Sequence, residues 1–162
     1  MIIVGIDPAL ATTGFGVIES KGNVLRLIEA GVIQTSAKEP TPKRLDKIFT
    51  GVLKLIDDVG ADCLVLEKIY SHYKHPVTAC ILGQARGVIC LAAATKKIIF
   101  FEYAATRIKK AIVGKGLASK AQVQRMVAHS LGIKILPALM DVTDALALAI
   151  AHSYIIKKNY DL

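Results

Sequence analysis

Ile2-Ile3-Val4-Gly5-Ile6-Asp7-Pro8 is a continuous apolar run that stops on an acid and a proline. No polar residue interrupts it, so it reads as a central strand buried on both faces, with Asp7 at its C-terminal tip. Phe15 to Glu19 and Val24 to Gln34 are further strand candidates, and Lys21-Gly22-Asn23 between them is a hairpin turn signal. The chain is therefore expected to begin as a three-stranded meander.

Thr41-Pro42 supplies an N-cap and a first-turn proline, and Leu45, Ile48, Phe49, Val52, Ile56 and Val59 follow at helical spacing until Gly60. Cys63 to Leu66 is a short buried strand that again ends in an acid, Glu67. Pro76 to about Ala94 reads as a helix, with Gly83 and Gly87 on one face able to admit a close neighbour. Ile98 to Phe101 is the fifth strand. A short helix over Ala104 to Ile112 and the loop Gly114-Lys115-Gly116 come next. Ser119 and Gln122 then form a capping box for a helix closed by Gly132. The last helix starts near Asp141, and its run Ala145 to Ala151 is apolar nearly all round, hence buried. The expectation is one α/β domain over residues 1–162, a mixed five-stranded sheet flanked by helices on both faces.

Composition agrees with that architecture. In 162 residues, 53% are hydrophobic and 21% charged, which supports a packed core and excludes a disordered or fibrous chain. Apolar runs such as Ala145 to Ala151 fall far short of the roughly 20 residues that span a bilayer, so no membrane span is expected. The N-terminus lacks a basic lead and reads as a strand rather than a signal peptide, which predicts a cytoplasmic protein. Cys63, Cys80 and Cys90 are odd in number and lie in apolar segments, as suits reduced, buried thiols better than disulfides or a zinc site.

The net charge is +8, and +7 of it lies between Lys96 and Arg125. That window holds Lys96, Lys97, Arg107, Lys109, Lys110, Lys115, Lys120 and Arg125 against the single acid Glu102. A concentrated basic stretch is the footprint of a polyanion-binding surface, or else a solvated helix face.

The acids choose between the two. Asp7 and Glu67 each end an apolar strand, and Asp141 and Asp144 stand three apart in the first turn of the buried last helix. If the two strands are parallel neighbours, their carboxylates converge, and such acids repel unless a cation joins them. Only oxygen ligands are present, which favours Mg2+, with Mn2+ able to substitute, over zinc. Two such ions can activate water and stabilise the oxygen leaving a phosphodiester. Taken singly, Asp141 also suits a helix cap, Asp144 the helix dipole, Glu67 a solvated strand end and Asp7 a turn. Three buried elements each ending in an acid make a shared metal site the stronger reading.

These residues belong to a recognisable pattern. The chain resembles the RuvC-type Holliday junction resolvases through Gly5-Ile6-Asp7-Pro8, Thr13-Gly14-Phe15-Gly16-Val17-Ile18, Leu66-Glu67 and Leu82-Gly83-Gln84-Ala85-Arg86-Gly87. The likeness continues through Phe101-Glu102-Tyr103-Ala104, Val113-Gly114 with Gly116, Lys120-Ala121-Gln122-Val123-Gln124 and Asp141-Val142-Thr143-Asp144-Ala145-Leu146-Ala147. The resemblance implies an RNase H-like fold and a homodimer that nicks four-way DNA junctions symmetrically with magnesium, two ions per site, beside the RuvA and RuvB branch-migration proteins. Asp7, Glu67, Asp141 and Asp144 match its metal-binding catalytic acids, and Lys120 a basic residue near the scissile phosphate. Tyr70 matches an aromatic that stacks at the junction, and Arg86, Lys109, Lys110 and Lys115 are expected to contact DNA. Ala9 departs from a glycine usual in the family, which implies a strain cost, if that turn needs a positive φ, or else a different turn. The loop His72-Tyr73-Lys74-His75 has no clear counterpart, and its histidines suit either a phosphate contact or plain solvation.

Two other readings compete with this one. Ile6-Asp7 with Thr12-Thr13-Gly14 also looks like the first phosphate loop of actin-like sugar kinases and ATPases, but those need a second lobe for which 162 residues leave no room. The other is a noncatalytic nucleic-acid binder on the same fold.

Overall fold

The computed structural model describes residues 1–68, 76–134, 137 and 139–160, without the side chains of the last two. Tyr70 and the loop from His72 to His75 lie outside the described residues. Five strands, β1 (Ile2–Asp7), β2 (Thr12–Lys21), β3 (Val24–Gln34), β4 (Cys63–Glu67) and β5 (Ile99–Tyr103), form one sheet in the order β3-β2-β1-β4-β5. The β1–β2 and β2–β3 pairs are antiparallel, and β1–β4 and β4–β5 are parallel, so the sheet is mixed as expected.

Helices α1 (Thr41–Val59) and α2 (Pro76–Thr95) cover one face, and α3 (Ala105–Val113), α4 (Lys120–Leu131) and α5 (Met140–Tyr160) the other. Strand alternation splits the core between them. Val4, Ile6, Val17, Leu64 and Leu66 pack toward α1 and α2, while Ile3, Ile18, Cys63 and Val65 pack toward the other three helices. A central strand must satisfy both faces at once, which is why β1 and β4 are apolar at successive positions.

Several local expectations shift. Thr41 is the first residue of α1 rather than its cap; Pro40 is the cap and makes no side-chain capping bond. At the far end Gly60 closes the helix at φ 62°. β5 starts one residue late and runs on through Glu102 and Tyr103, because Leu66 and Glu67 of β4 pair with them. The capping box at Ser119 and Gln122 is present, with both reciprocal bonds made. Of the cysteines only Cys63 is buried; Cys80 is exposed and Cys90 half-buried. Ala9 carries no positive φ. Its carbonyl accepts a 2.7 Å bond from the hydroxyl of the fully buried Thr13, which shapes the turn without strain.

α2 is long and apolar enough to cross a membrane by length and composition alone. In the fold its apolar residues serve two directions. Ala85, Ile89, Ala92 and Ala93 enter the core, whereas Val77, Ile81 and Leu91 are exposed.

α5 lies directly on β1 and β2 because three residues beneath it have no side chain. A Cβ at Gly5 would fall 2.9 Å from the Ala149 amide nitrogen and collide with the Ala145 carbonyl. One at Gly14 would fall 2.8 Å from Asp141 Cβ, and one at Gly16 2.6 Å from a Leu146 methyl. Close approach, not turn geometry, is what these glycines supply.

On the same face, buried His152 of α5 meets the Tyr103 hydroxyl through Nδ1 at 2.8 Å. Burial pushes its pKa down to about 4 from 6.5. The unfolded chain therefore binds more protons between those values, so His152 costs stability as pH falls through that window, up to about 3 kcal/mol. Urea unfolding at pH 7, 6 and 5 should show the unaltered protein losing stability relative to His152→Gln as pH falls, a difference that cancels the opposite contribution of every other titrating group. Equal acid sensitivity in both proteins would contradict the assignment.

Candidate active site

The parallel register decides where the acids meet. Ile6 pairs with Leu66, so Asp7 and Glu67 emerge side by side at the C-terminal tips of neighbouring strands. Both take the parity of Ile3 and Val65, the face covered by α3, α4 and α5. The glycine bed under α5 then lowers the first turns of that helix onto the same spot.

The result is a cleft of about 270 Å3 lined by Asp7, Glu67 and Asp144, by Lys109 of α3 and Lys120 of α4, and by an apolar wall that includes Ile108, Val123 and Leu148. Lys120 Nζ lies 2.7 Å from Asp144 Oδ2. That hydrogen bond is the main cause of a raised Lys120 pKa. Burial, followed by Asp144, Asp141 and Glu67, pushes Asp7 up to about 7, against the pull of Lys120. Glu67 is raised too, first by burial and then by Asp144, with Lys109 and Arg86 opposing. Burial and the neighbouring carboxylates thus make the charged forms of Asp7 and Glu67 costly.

Asp141 is the second residue of α5, inside its first turn rather than at its cap. It does not line the cleft, although its charge is felt at Asp7. Among the described residues no three acid, histidine or cysteine side chains close on one point. Asp144 accepts from the Lys120 ammonium at 2.7 Å. The donor set is all carboxylate, and Asp7 bears a charge its neighbours oppose; both features fit hard divalent cations.

The basic window divides. Lys109 and Lys120 reach the cleft. Lys110 faces the far side of α3, and Lys115 is exposed on the loop between α3 and α4. Lys96 and Lys97 lie in the turn before β5, at the opposite end of the sheet from the acid tips, and Lys96 pairs with Asp57 of α1. Those two cannot serve the cleft.

Arg86, expected on the DNA surface, points inward. It is only 9% exposed, donates to the Glu67 carbonyl oxygen at 2.6 Å and forms an ion pair with Glu102 of β5. A guanidinium spent on those partners holds the tip of β4 rather than a phosphate, and this positioning role went unread in the sequence. Ordinary helical periodicity could not have separated the two, since an arginine flanked by apolar residues fits either.

A family model described as crossover junction endodeoxyribonuclease RuvC matches residues 3–152. The chain belongs to the RuvC family. A RuvC crossover junction endodeoxyribonuclease from Rhodopirellula baltica is 41% identical over 159 residues, covering 98% of this chain and 89% of that one. One from Chloroflexus aggregans is 42% identical over 154 residues, covering 95% and 93%. The structure of T. thermophilus RuvC in complex with Holliday junction substrate superposes with a TM-score of 0.92 at 30% identity, covering 98% of this chain and 96% of that one. The RNase H-like resolvase fold expected from the RuvC resemblance is therefore the fold observed.

Proposed function

We propose that this chain, as one nuclease domain, nicks four-way DNA junctions at paired symmetric positions by hydrolysing phosphodiesters. The observation that carries the reading is the meeting of Asp7, Glu67 and Asp144 with Lys109 and Lys120 in one cleft of a RuvC-family fold. Asp7, Glu67, Asp144 and the neighbouring Asp141 would hold Mg2+, or Mn2+ in its place, two ions per site. Bound there, such ions supply an activated water and a counter-charge for the leaving oxygen.

The chain's own residues do the rest. Arg86 and Glu102 fix the strand tip that carries Glu67. Lys109 offers a phosphate contact at the cleft wall. Lys120, held rigidly at the first turn of α4 by the Ser119 capping box, stands where an ammonium can follow charge developing on a phosphate. Tyr70 retains its proposed stacking role and Lys115 its proposed contact with DNA. Lys120→Ala should lower single-turnover cleavage by about 10²–10³-fold with a much smaller change in junction affinity; equal losses in both would make Lys120 a binding residue only.

A four-way junction presents paired strands, which suits a two-fold enzyme. Exposed Val77, Cys80, Gln84, Gly87, Leu91 and Ala94 recur every three or four residues along α2, and a Cβ at Gly83 or Gly87 would meet nothing within 4 Å. That apolar, small-residue face supports dimerisation through α2. Action beside a RuvA–RuvB complex, in the cytoplasm with the chromosome, belongs to the same proposal. The deciding experiment offers a synthetic junction and its linear duplex with Mg2+ or with chelator. Paired nicks in the junction alone, lost with chelator, are expected; equal cutting of the duplex would overturn the reading.

A further inference from the structure

Helix α3 divides two depressions. Ile108 and Lys109 face the acid cleft, while Arg107, Lys110 and Ala111 line a second groove of about 310 Å3. Its other wall is Tyr154, Ile155 and Lys158 of α5. Three cations and, among the described residues, no acid line this groove. None of the three forms an ion pair among the described residues.

The groove is also held in shape. The Arg107 guanidinium carbon stands 5.1 Å from the centroid of the buried Tyr103 ring, a stacking contact that limits its swing. The Tyr154 hydroxyl donates at 2.8 Å to Ser130 Oγ of α4, which fixes the ring in the wall. Converging cations repel one another and are relieved by an anion. Between them, Ala111, Ile155 and the Tyr154 ring offer apolar surface. Anionic phosphates alternating with apolar sugars are the chemistry of a DNA backbone.

We infer that this groove is a second backbone site, holding phosphates of a junction arm away from the one being cut. The inference rests on the junction reading above. α5 lies along both sites, with Asp144 at the first and Tyr154 ten residues on at the second. At about 1.5 Å per residue that separation is roughly 15 Å, or about four base-pair steps of ~3.4 Å. A duplex arm can therefore fill the groove while its junction end occupies the cleft.

The test compares the unaltered protein with Lys110→Ala/Lys158→Ala and with the triple variant that adds Arg107→Ala. Thermal unfolding checks that each folds; the double variant changes only exposed lysines and leaves the Tyr103 stack in place. Junction affinity measured against salt should lose about one unit of slope per cation removed. Neutral methylphosphonate linkages, placed one at a time along an arm, should weaken the unaltered protein at two separate sets of positions. In the variants the set distant from the cut should fall silent. An unchanged slope and an unchanged two-part pattern would overturn the inference and hand the groove to an acidic protein segment. If the unaltered protein shows no preference for a junction over linear duplex, the junction reading fails, yet the slopes on duplex still decide the groove.

Discussion

Asp7→Asn is expected to abolish junction cleavage, by at least about 10³-fold, and at the same time to make the metal-free protein more stable at pH 8. Both effects come from one position. Asp7 is pushed up to about 7 by burial and by three neighbouring acids. Folding therefore raises its proton affinity, and the metal-free protein loses stability as pH rises from the ordinary carboxylate value of 3.8 toward 7. An amide carries no charge to hold in that place. The gain should be about 1–2 kcal/mol at pH 8, or roughly 3–6 °C in Tm, the common trade of stability against function. Added Mg2+ should raise the Tm of the unaltered protein, since it binds only the folded state, and should leave the variant almost unmoved. At limiting Mg2+, cleavage by the unaltered protein should climb as pH rises toward 7, because the proton on Asp7 competes with the cation, and saturating Mg2+ should move the rise to lower pH. A variant that still cuts, or whose metal-free Tm falls, would remove Asp7 from the site.

Gly14→Ala is the second large effect, and it tests how the site is held rather than what it contains. The new methyl would press on the Asp141 backbone and lie 2.8 Å from its Cβ. Backbone cannot step aside as a flexible side-chain end can, so α5 must lift. Overpacking of this kind costs about 1–3 kcal/mol, which a folded domain survives. The catalytic cost is larger, because a displacement of about 1 Å at a reacting centre can lower the rate by about 10²-fold. Far-UV circular dichroism should report a folded protein whose cleavage has dropped by that factor or more. Junction affinity should fall little, since Lys109 stands on α3. Full activity in Gly14→Ala would mean the close contact does not set the position of Asp141 and Asp144.

The sequence discloses the acids better than it discloses what aims them. Asp7 and Glu67 are legible because each interrupts an apolar strand, and Asp141 and Asp144 because their spacing falls on one helix face. The glycines beneath α5 are legible only as a motif. Their reason is a helix far along the chain, and an absent side chain leaves no local periodicity to read. Arg86 illustrates the opposite difficulty. Its charge suggested a surface, while its partners, Glu102 and the Glu67 carbonyl, become neighbours only once β4 and β5 pair. In the sequence the basic window is continuous, yet β5 runs away from Lys96 and Lys97 and carries the chain to the other end of the sheet before the remaining cations begin. Lys158 gave no signal at all, since a lysine near a helix C-terminus already has a sufficient explanation in the dipole.

α5 is the last of the described elements in chain order, and it brings Asp141 and Asp144 to the carboxylates at the tips of β1 and β4. Until that helix docks on its glycines, two of the four acids are missing and Lys120 has no partner at Asp144. A polypeptide whose α5 is undocked would be a blade without an edge, so on the proposed reading cleavage depends on a contact between distant parts of the fold.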